Sequence, residues 1–274
     1  MNYFLLILLM AFHLNSATAT VHYIDEEPQL PADPKGLYID LIKRAVANTI
    51  YEDGSFGGAF SAELREIGRD HPLVGHTMIG MRRLDNIQLC LEDVIQNQIP
   101  GDCIETGVWR GGATILMAAI LKAYGETDRR VWVADSFAGV PPPNAEKYPH
   151  DLNLCLHATP YLAVSMETVQ KNFKKYNLLD NQVVFLKGWF KDTLPEAPVD
   201  KIALLRLDGD LYESTMDSLT ALYPKLSIGG YAIIDDYNAI GACRAAVTDY
   251  RESHGITDPI IRIDNDGVYW KKSH

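Results

Sequence analysis

The chain has 274 residues, with 25 Lys and Arg against 36 Asp and Glu and a formal charge of −11. With 47% hydrophobic residues it has enough apolar material for one large domain with a buried core. Lys and Arg never form a run of five or more, so nothing in the charge pattern builds a nucleic-acid face, and the acidic balance speaks to solubility rather than to substrate.

The first 20 residues stand apart. The apolar run Phe4–Phe12 is followed by polar residues and by the small-residue stretch Ala17–Ala19, which together resemble a secretory signal. The run is too short to cross a bilayer comfortably, so no stable membrane span is expected, and no Lys or Arg precedes it. A cleaved signal and a membrane-tethering stub both remain open. Residues 21–36, rich in Pro, Asp and Glu, read as a linker, giving a leader and linker over 1–36.

From Leu37 the pattern becomes globular. Leu37, Leu41, Ile42, Ala45 and Val46 recur at helical spacing. Asp53–Phe60, with three glycines and two aromatics, reads as a flexible loop. A second helix carries Leu84, Ile87, Leu91, Val94 and Ile95 on one stripe and stops at Pro100 and Gly101. The amphipathic helices of 37–100 have apolar faces that could cover the site or pack against a second copy in a homo-oligomer.

Short apolar strands and amphipathic helices then alternate. The predicted strands are Cys103–Glu105, Val131–Ala134, Val183–Leu186, Ile202–Leu207 and Tyr231–Ile234, with helices near 113–124, 164–177, 214–226 and 241–253. Continuous apolar strands in this order predict an α/β fold with a mostly parallel sheet and helices on both faces. Pro259–Ile263 and Val268–Trp270 flank Asp264-Asn-Asp-Gly267, which predicts a C-terminal antiparallel hairpin. The four cysteines lie far apart; Cys90 and Cys103 read as small buried hydrophobes, and no disulfide is expected.

Ligands of open α/β sheets bind beyond the carboxyl ends of the strands, so the strand ends carry the candidate site. The first strand ends in Glu105-Thr106-Gly107 and continues through Gly111-Gly112 into a helix, where glycines let a ligand approach the backbone and free N–H groups are on offer. A tight turn without a ligand would look the same. Asp135 ends the second strand, placed either to accept hydrogen bonds from ribose hydroxyls or to cap a helix. Gly188 and Trp189 end the third, with Trp189 either beside a base or in the core. Asp208 and Asp210 end the fourth strand, and Asp235 and Asp236 the fifth. Four carboxylates so placed repel one another unless compensated and suit a hard divalent cation such as Mg²⁺; the competing use is as loop and helix caps.

The segments Leu37–Leu41, Asn48–Asp53, His76–Met81, Ile104–Gly112, Leu207–Thr215 and Asp235–Tyr237 resemble the macrocin O-methyltransferase (TylF-type) family over about residues 37–272. The resemblance implies a Rossmann-like class I methyltransferase core over 101–274, preceded by a helical part over 37–100. It implies S-adenosylmethionine and Mg²⁺ as cofactors, and a sugar or small-molecule hydroxyl as acceptor. Glu105, Thr106 and Gly107 would then lie along the methionine and ribose, Asp135 and Ser136 at the ribose, and Gly188 and Trp189 at the adenine. Asp208, Asp235 and Asp236 would be the metal ligands, with Asp208 or Asp210 as base, and Phe137–Thr159 would form a mobile lid. Two other functions stay open: methylation of a catechol-like diol, and a non-catalytic small-molecule-binding protein that keeps the fold. The cofactor argues for a cytoplasmic chain and the leader for a secreted or tethered one.

Overall fold

The computed structural model describes residues 33–274. The leader and most of the linker therefore lie outside the described residues. Helix α1 (Pro34–Ala47) begins within the expected linker, because Pro34 occupies the first helical turn and the Asp33 carboxylate accepts the N–H of Gly36 at 2.9 Å. It ends at Asn48, whose φ of 53° is left-handed. Helix α2 (Ala62–Glu66), too short to show a hydrophobic period, follows a Ser61 cap. The glycine-rich loop between them is tied at its base, since Asp53 accepts from Asn48, from Arg65 and from the N–H groups of Val74 and Gly75. Helix α3 (Gly80–Gln96) completes the helical part.

The remaining elements are β1 (Asp102–Thr106), α4 (Gly112–Tyr124), β2 (Val131–Asp135), α5 (Met166–Lys175), β3 (Val183–Lys187), α6 (Phe190–Thr193), β4 (Ile202–Leu207), α7 (Tyr212–Leu222), β5 (Leu226–Ile234), α8 (Gly241–Ser253), β6 (Ile261–Arg262) and β7 (Val268–Lys271). They form a seven-stranded sheet of order β3-β2-β1-β4-β5-β7-β6. β1 to β5 are parallel, while β7 runs antiparallel to β5 and β6. Because side chains alternate along a strand, Cys103, Val133, Leu204 and Ile233 join one core with α1, α3 and α4. Ile104, Trp132, Leu205 and Ile234 join the other with α7 and α8.

Helices α2 and α6 are additions to the sequence reading, and two strands differ most from it in length. β5 has nine residues rather than four, because its pairing with β4 slips between Ile202 and Leu204 and Gly229 takes a φ of +84° at the irregularity. β6 has two residues, since Pro259 cannot donate to a ladder and Asp264 is used in the turn, accepting the N–H groups of Asp266 and Gly267. Cys90, Cys103 and Cys243 are buried free thiols, and Cys155 is an exposed one. None of the described helices is long and apolar enough to cross a membrane. The secreted or membrane-tethered location is accordingly withdrawn, since the leader that prompted it lies outside the described residues and nothing described supports it.

Candidate active site

A cavity of about 360 Å³ opens at the carboxyl ends of the strands. Its floor begins at the turn after β1. Gly107 has a φ of +85° and passes so close to β4 that a Cβ there would sit 1.8 Å from the carbonyl oxygen of Asp208, which excludes any other residue. Asp135, at the end of β2, holds this turn: its Oδ2 accepts the N–H of Val108 at 2.8 Å and its Oδ1 that of Phe137 at 2.7 Å. The adjacent Ser136 hydroxyl donates to the carbonyl of Gly139 at 2.7 Å. Burial raises the Asp135 pKa, with the backbone N–H groups opposing it. Asp135 therefore caps a loop rather than a helix while also lining the cavity.

Glu105, Gly107, Asp135, Ser136, Gly188 and Trp189 all line the cavity. Trp189 belongs to neither hydrophobic core, so the packing alternative does not describe it. Thr106 stands apart: it is fully buried and lines no part of the cavity, and only its carbonyl serves the site, by accepting the N–H of Asp208 at 2.9 Å.

Asp208, Asp210, Asp235 and Asp236 converge on the same cavity. One oxygen from each of Asp208, Asp235 and Asp236 lies within 4.8 Å of the others. Asp210 has a left-handed φ of 59°, and its N–H donates to Asp236 Oδ2 at 3.3 Å. Backbone strain of this kind persists only where the surroundings impose it.

The sequence assigns the compensation of these carboxylates to a divalent cation; two arginines supply part of it. Arg206, fully buried on β4, donates from Nη1 to Glu105 and, at 2.9 Å, to Asp208, and from Nη2 to Asp235. Arg83 of α3 pairs with the other oxygen of Asp235 and, through Nε at 2.9 Å, with Asp264 of the hairpin. Arg206 was hidden inside an otherwise apolar strand and Arg83 in a helix stripe; a lone cation within Ile202–Leu207 was the available signal. Compensation is still partial. Among the described residues Asp210 and Asp236 make no ion pair. Burial, followed by the charges of neighbouring carboxylates, raises the pKa of both. Burial pushes Glu105 to about 8, with Arg206 pulling the other way. The donor set of close carboxylate oxygens and residual negative charge fits a hard divalent ion held by Asp208, Asp235 and Asp236.

The segment expected to be a lid, Phe137–Thr159, is anchored within by Asp151, and the chain just beyond its end is anchored at Tyr161. Asp151, fully buried, accepts the N–H groups of Tyr212 at 2.6 Å and Glu213 at 3.1 Å, capping α7 from 61 residues away. The Trp109 indole N–H donates to the carbonyl of Tyr161 at 2.8 Å, and the Tyr161 ring stacks on Phe56 at 4.6 Å.

A parallel sheet of this order, closed by an antiparallel hairpin and carrying its cavity on the carboxyl side, is the class I fold of S-adenosylmethionine-dependent methyltransferases. The profile of the Macrocin-O-methyltransferase (TylF) family matches residues 55–272, and the chain belongs to that family. It is 54% identical over 245 residues to the demethyldecarbamoylnovobiocin O-methyltransferase of Streptomyces niveus, covering 86% of this chain and 94% of that one. It is 53% identical over 252 residues to the mycinamicin III 3''-O-methyltransferase of Micromonospora griseorubida, covering 89% and 99%. The solved structure of the O-methyltransferase NovP superposes with a TM-score of 0.86 at 54% identity, covering 88% of this chain and all of that one. A calicheamicin methyltransferase shares the fold alone, at 18% identity and a TM-score of 0.54. The chain is an O-methyltransferase.

Proposed function

We propose that this enzyme methylates a hydroxyl of a sugar carried by a natural product, using S-adenosylmethionine and a divalent ion such as Mg²⁺. The carrying observation is that Asp208, Asp235 and Asp236 converge, with Asp210 beside them, in the cavity that Glu105, Gly107 and Asp135 also line. The acceptors in the relatives' names, demethyldecarbamoylnovobiocin and mycinamicin III, support an acceptor of this class. In this reading Glu105, Thr106 and Gly107 follow the methionine and ribose, Thr106 through its backbone. Asp135 and Ser136 take the ribose hydroxyls, and Gly188 and Trp189 border the adenine.

When bound, the ion supplies positive charge that makes a coordinated hydroxyl more acidic. Asp210 takes the hydroxyl proton as the acceptor oxygen bonds to the methyl carbon and the carbon–sulfur bond breaks. The pocket walls align oxygen, carbon and sulfur and exclude water, through the Trp109–Tyr161 and Asp151 anchors. The methyltransferase domain of this reading starts at the first helix, and pairing of copies through the helical part of 37–100 is its oligomeric expectation. The test is incubation of the enzyme with methyl-labelled donor and a panel of glycosylated acceptors, their aglycones and catechol-like diols, with and without Mg²⁺. Transfer to aglycones or diols but not to glycosides would replace the sugar reading with the diol one.

A further inference from the structure

Arg206 occupies a position that the reaction described above does not require. Register explains how it got there. Glu105 on β1 and Arg206 on β4 are direct partners across a parallel pair, and Arg206 is in turn the partner of Ile233 on β5. Two residues on from Arg206 and from Ile233, just past the ends of β4 and β5, come Asp208 and Asp235. The guanidinium is thus surrounded by three carboxylates from three adjacent strands, and all three accept from it. Arg206 is 0% exposed, and Glu105 presents its second oxygen, Oε2, buried and without a protein partner. Three converging carboxylates, Glu105 and Asp235 buried and Asp208 partly so, stay together only with a cation or with protons on some of them, and here one cation is built into the sheet.

We infer that Arg206 is a positioning residue that joins the cofactor wall to the acid cluster, so that Glu105 and the Asp208–Asp235 pair respond to one another through a single guanidinium. Any cation entering between Asp208 and Asp235 shares their oxygens with Arg206, and any change at Glu105 alters how far the guanidinium is drawn toward that pair. A planar fork suits this task and an ammonium does not, because only the fork reaches three acceptors in fixed directions. The inference rests on the proposed ion site for one of its readouts and is independent of it for the other.

The experiment uses the full chain in four forms: wild type, Glu105→Gln, Arg206→Lys and the double variant. Mn²⁺ binding is followed by the loss of its free-ion paramagnetic signal, and S-adenosylhomocysteine binding by calorimetry. Glu105→Gln touches no proposed ion ligand, yet it should weaken Mn²⁺ binding at least about 5-fold, and adding it to Arg206→Lys should cost less than about 2-fold more. Unchanged Mn²⁺ affinity in Glu105→Gln, or full additivity, overturns the coupling. If Arg206→Lys fails to fold, the comparison of Glu105→Gln with wild type decides. A wild-type chain that binds no Mn²⁺ removes the ion site instead. The coupling is then judged by Asp208→Asn, which should weaken S-adenosylhomocysteine at least about 5-fold through the same guanidinium. Unchanged affinity there overturns it.

Discussion

The carboxylate of Asp135, the last residue of β2, accepts the backbone N–H of Val108, in the turn that leaves β1, at 2.8 Å. One side chain thereby shapes the turn and faces the cavity. Asp135→Ala should weaken S-adenosylhomocysteine binding by about 30-fold or more through lost charge-assisted hydrogen bonds. It should also cost about 1–2 kcal/mol of stability, because two backbone donors lose their acceptor. Calorimetry and thermal melts read the two effects separately. A stability loss with unchanged affinity would leave Asp135 a turn-former only.

Removal of divalent ions with a chelator should abolish methyl transfer, and Mg²⁺ should restore it. Asp236→Asn, nearly isosteric and free of arginine contacts among the described residues, should raise the Mg²⁺ concentration needed for half activity. Asp210→Asn should lower kcat by about 100-fold or more while Mn²⁺ affinity moves only a few-fold, the mark of a proton acceptor rather than a ligand. Full activity in excess chelator would eliminate the ion mechanism.

Acid stability should depend on His76. Its Nδ1 lies 2.7 Å from the Tyr176 hydroxyl. Burial, with Lys175 and Arg110 nearby, lowers its pKa from 6.5 to about 4. The unfolded chain therefore binds the proton first as pH falls, and the stabilisation from keeping His76 neutral is present above pH 6.5 and lost between 6.5 and about 4. Partial exposure reduces the loss to about 1–2 kcal/mol. Thermal melts of His76→Gln across this range should show a flatter pH dependence than wild type. Parallel curves would show that the neutral imidazole is not the cause.

Asp151→Ala should free the start of α7 and cost about 1–2 kcal/mol, the usual loss when a helix loses its cap. Because Glu213 and Asp217 of that helix line the cavity, the acceptor KM should rise more than the cofactor Kd. Equal changes in both would indicate general destabilisation.

A chain beginning at Asp33 should fold and bind S-adenosylhomocysteine as the full chain does, since the cap of α1 and every site residue are retained. Circular dichroism and calorimetry on the shortened chain test this, and loss of folding would make the leader part of the core.

The alternation of apolar strands and amphipathic helices was enough to place the parallel strands and the hairpin. The glycine turn and the acidic pairs were legible because short strands of continuous apolar residues end abruptly, leaving the polar residues at their carboxyl ends conspicuous. Local signals of that kind need only neighbours in sequence. The tertiary structure alone decided what balances the acids. Arg206 meets Glu105 across 101 residues and Arg83 meets Asp235 across 152, through strand register and helix packing that no local pattern encodes. The same holds for Asp151 as the cap of α7 and for the slip that lengthens β5. Side-chain alternation determines which residues share a face, but only the pairing of strands determines which charges on that face come within hydrogen-bonding distance.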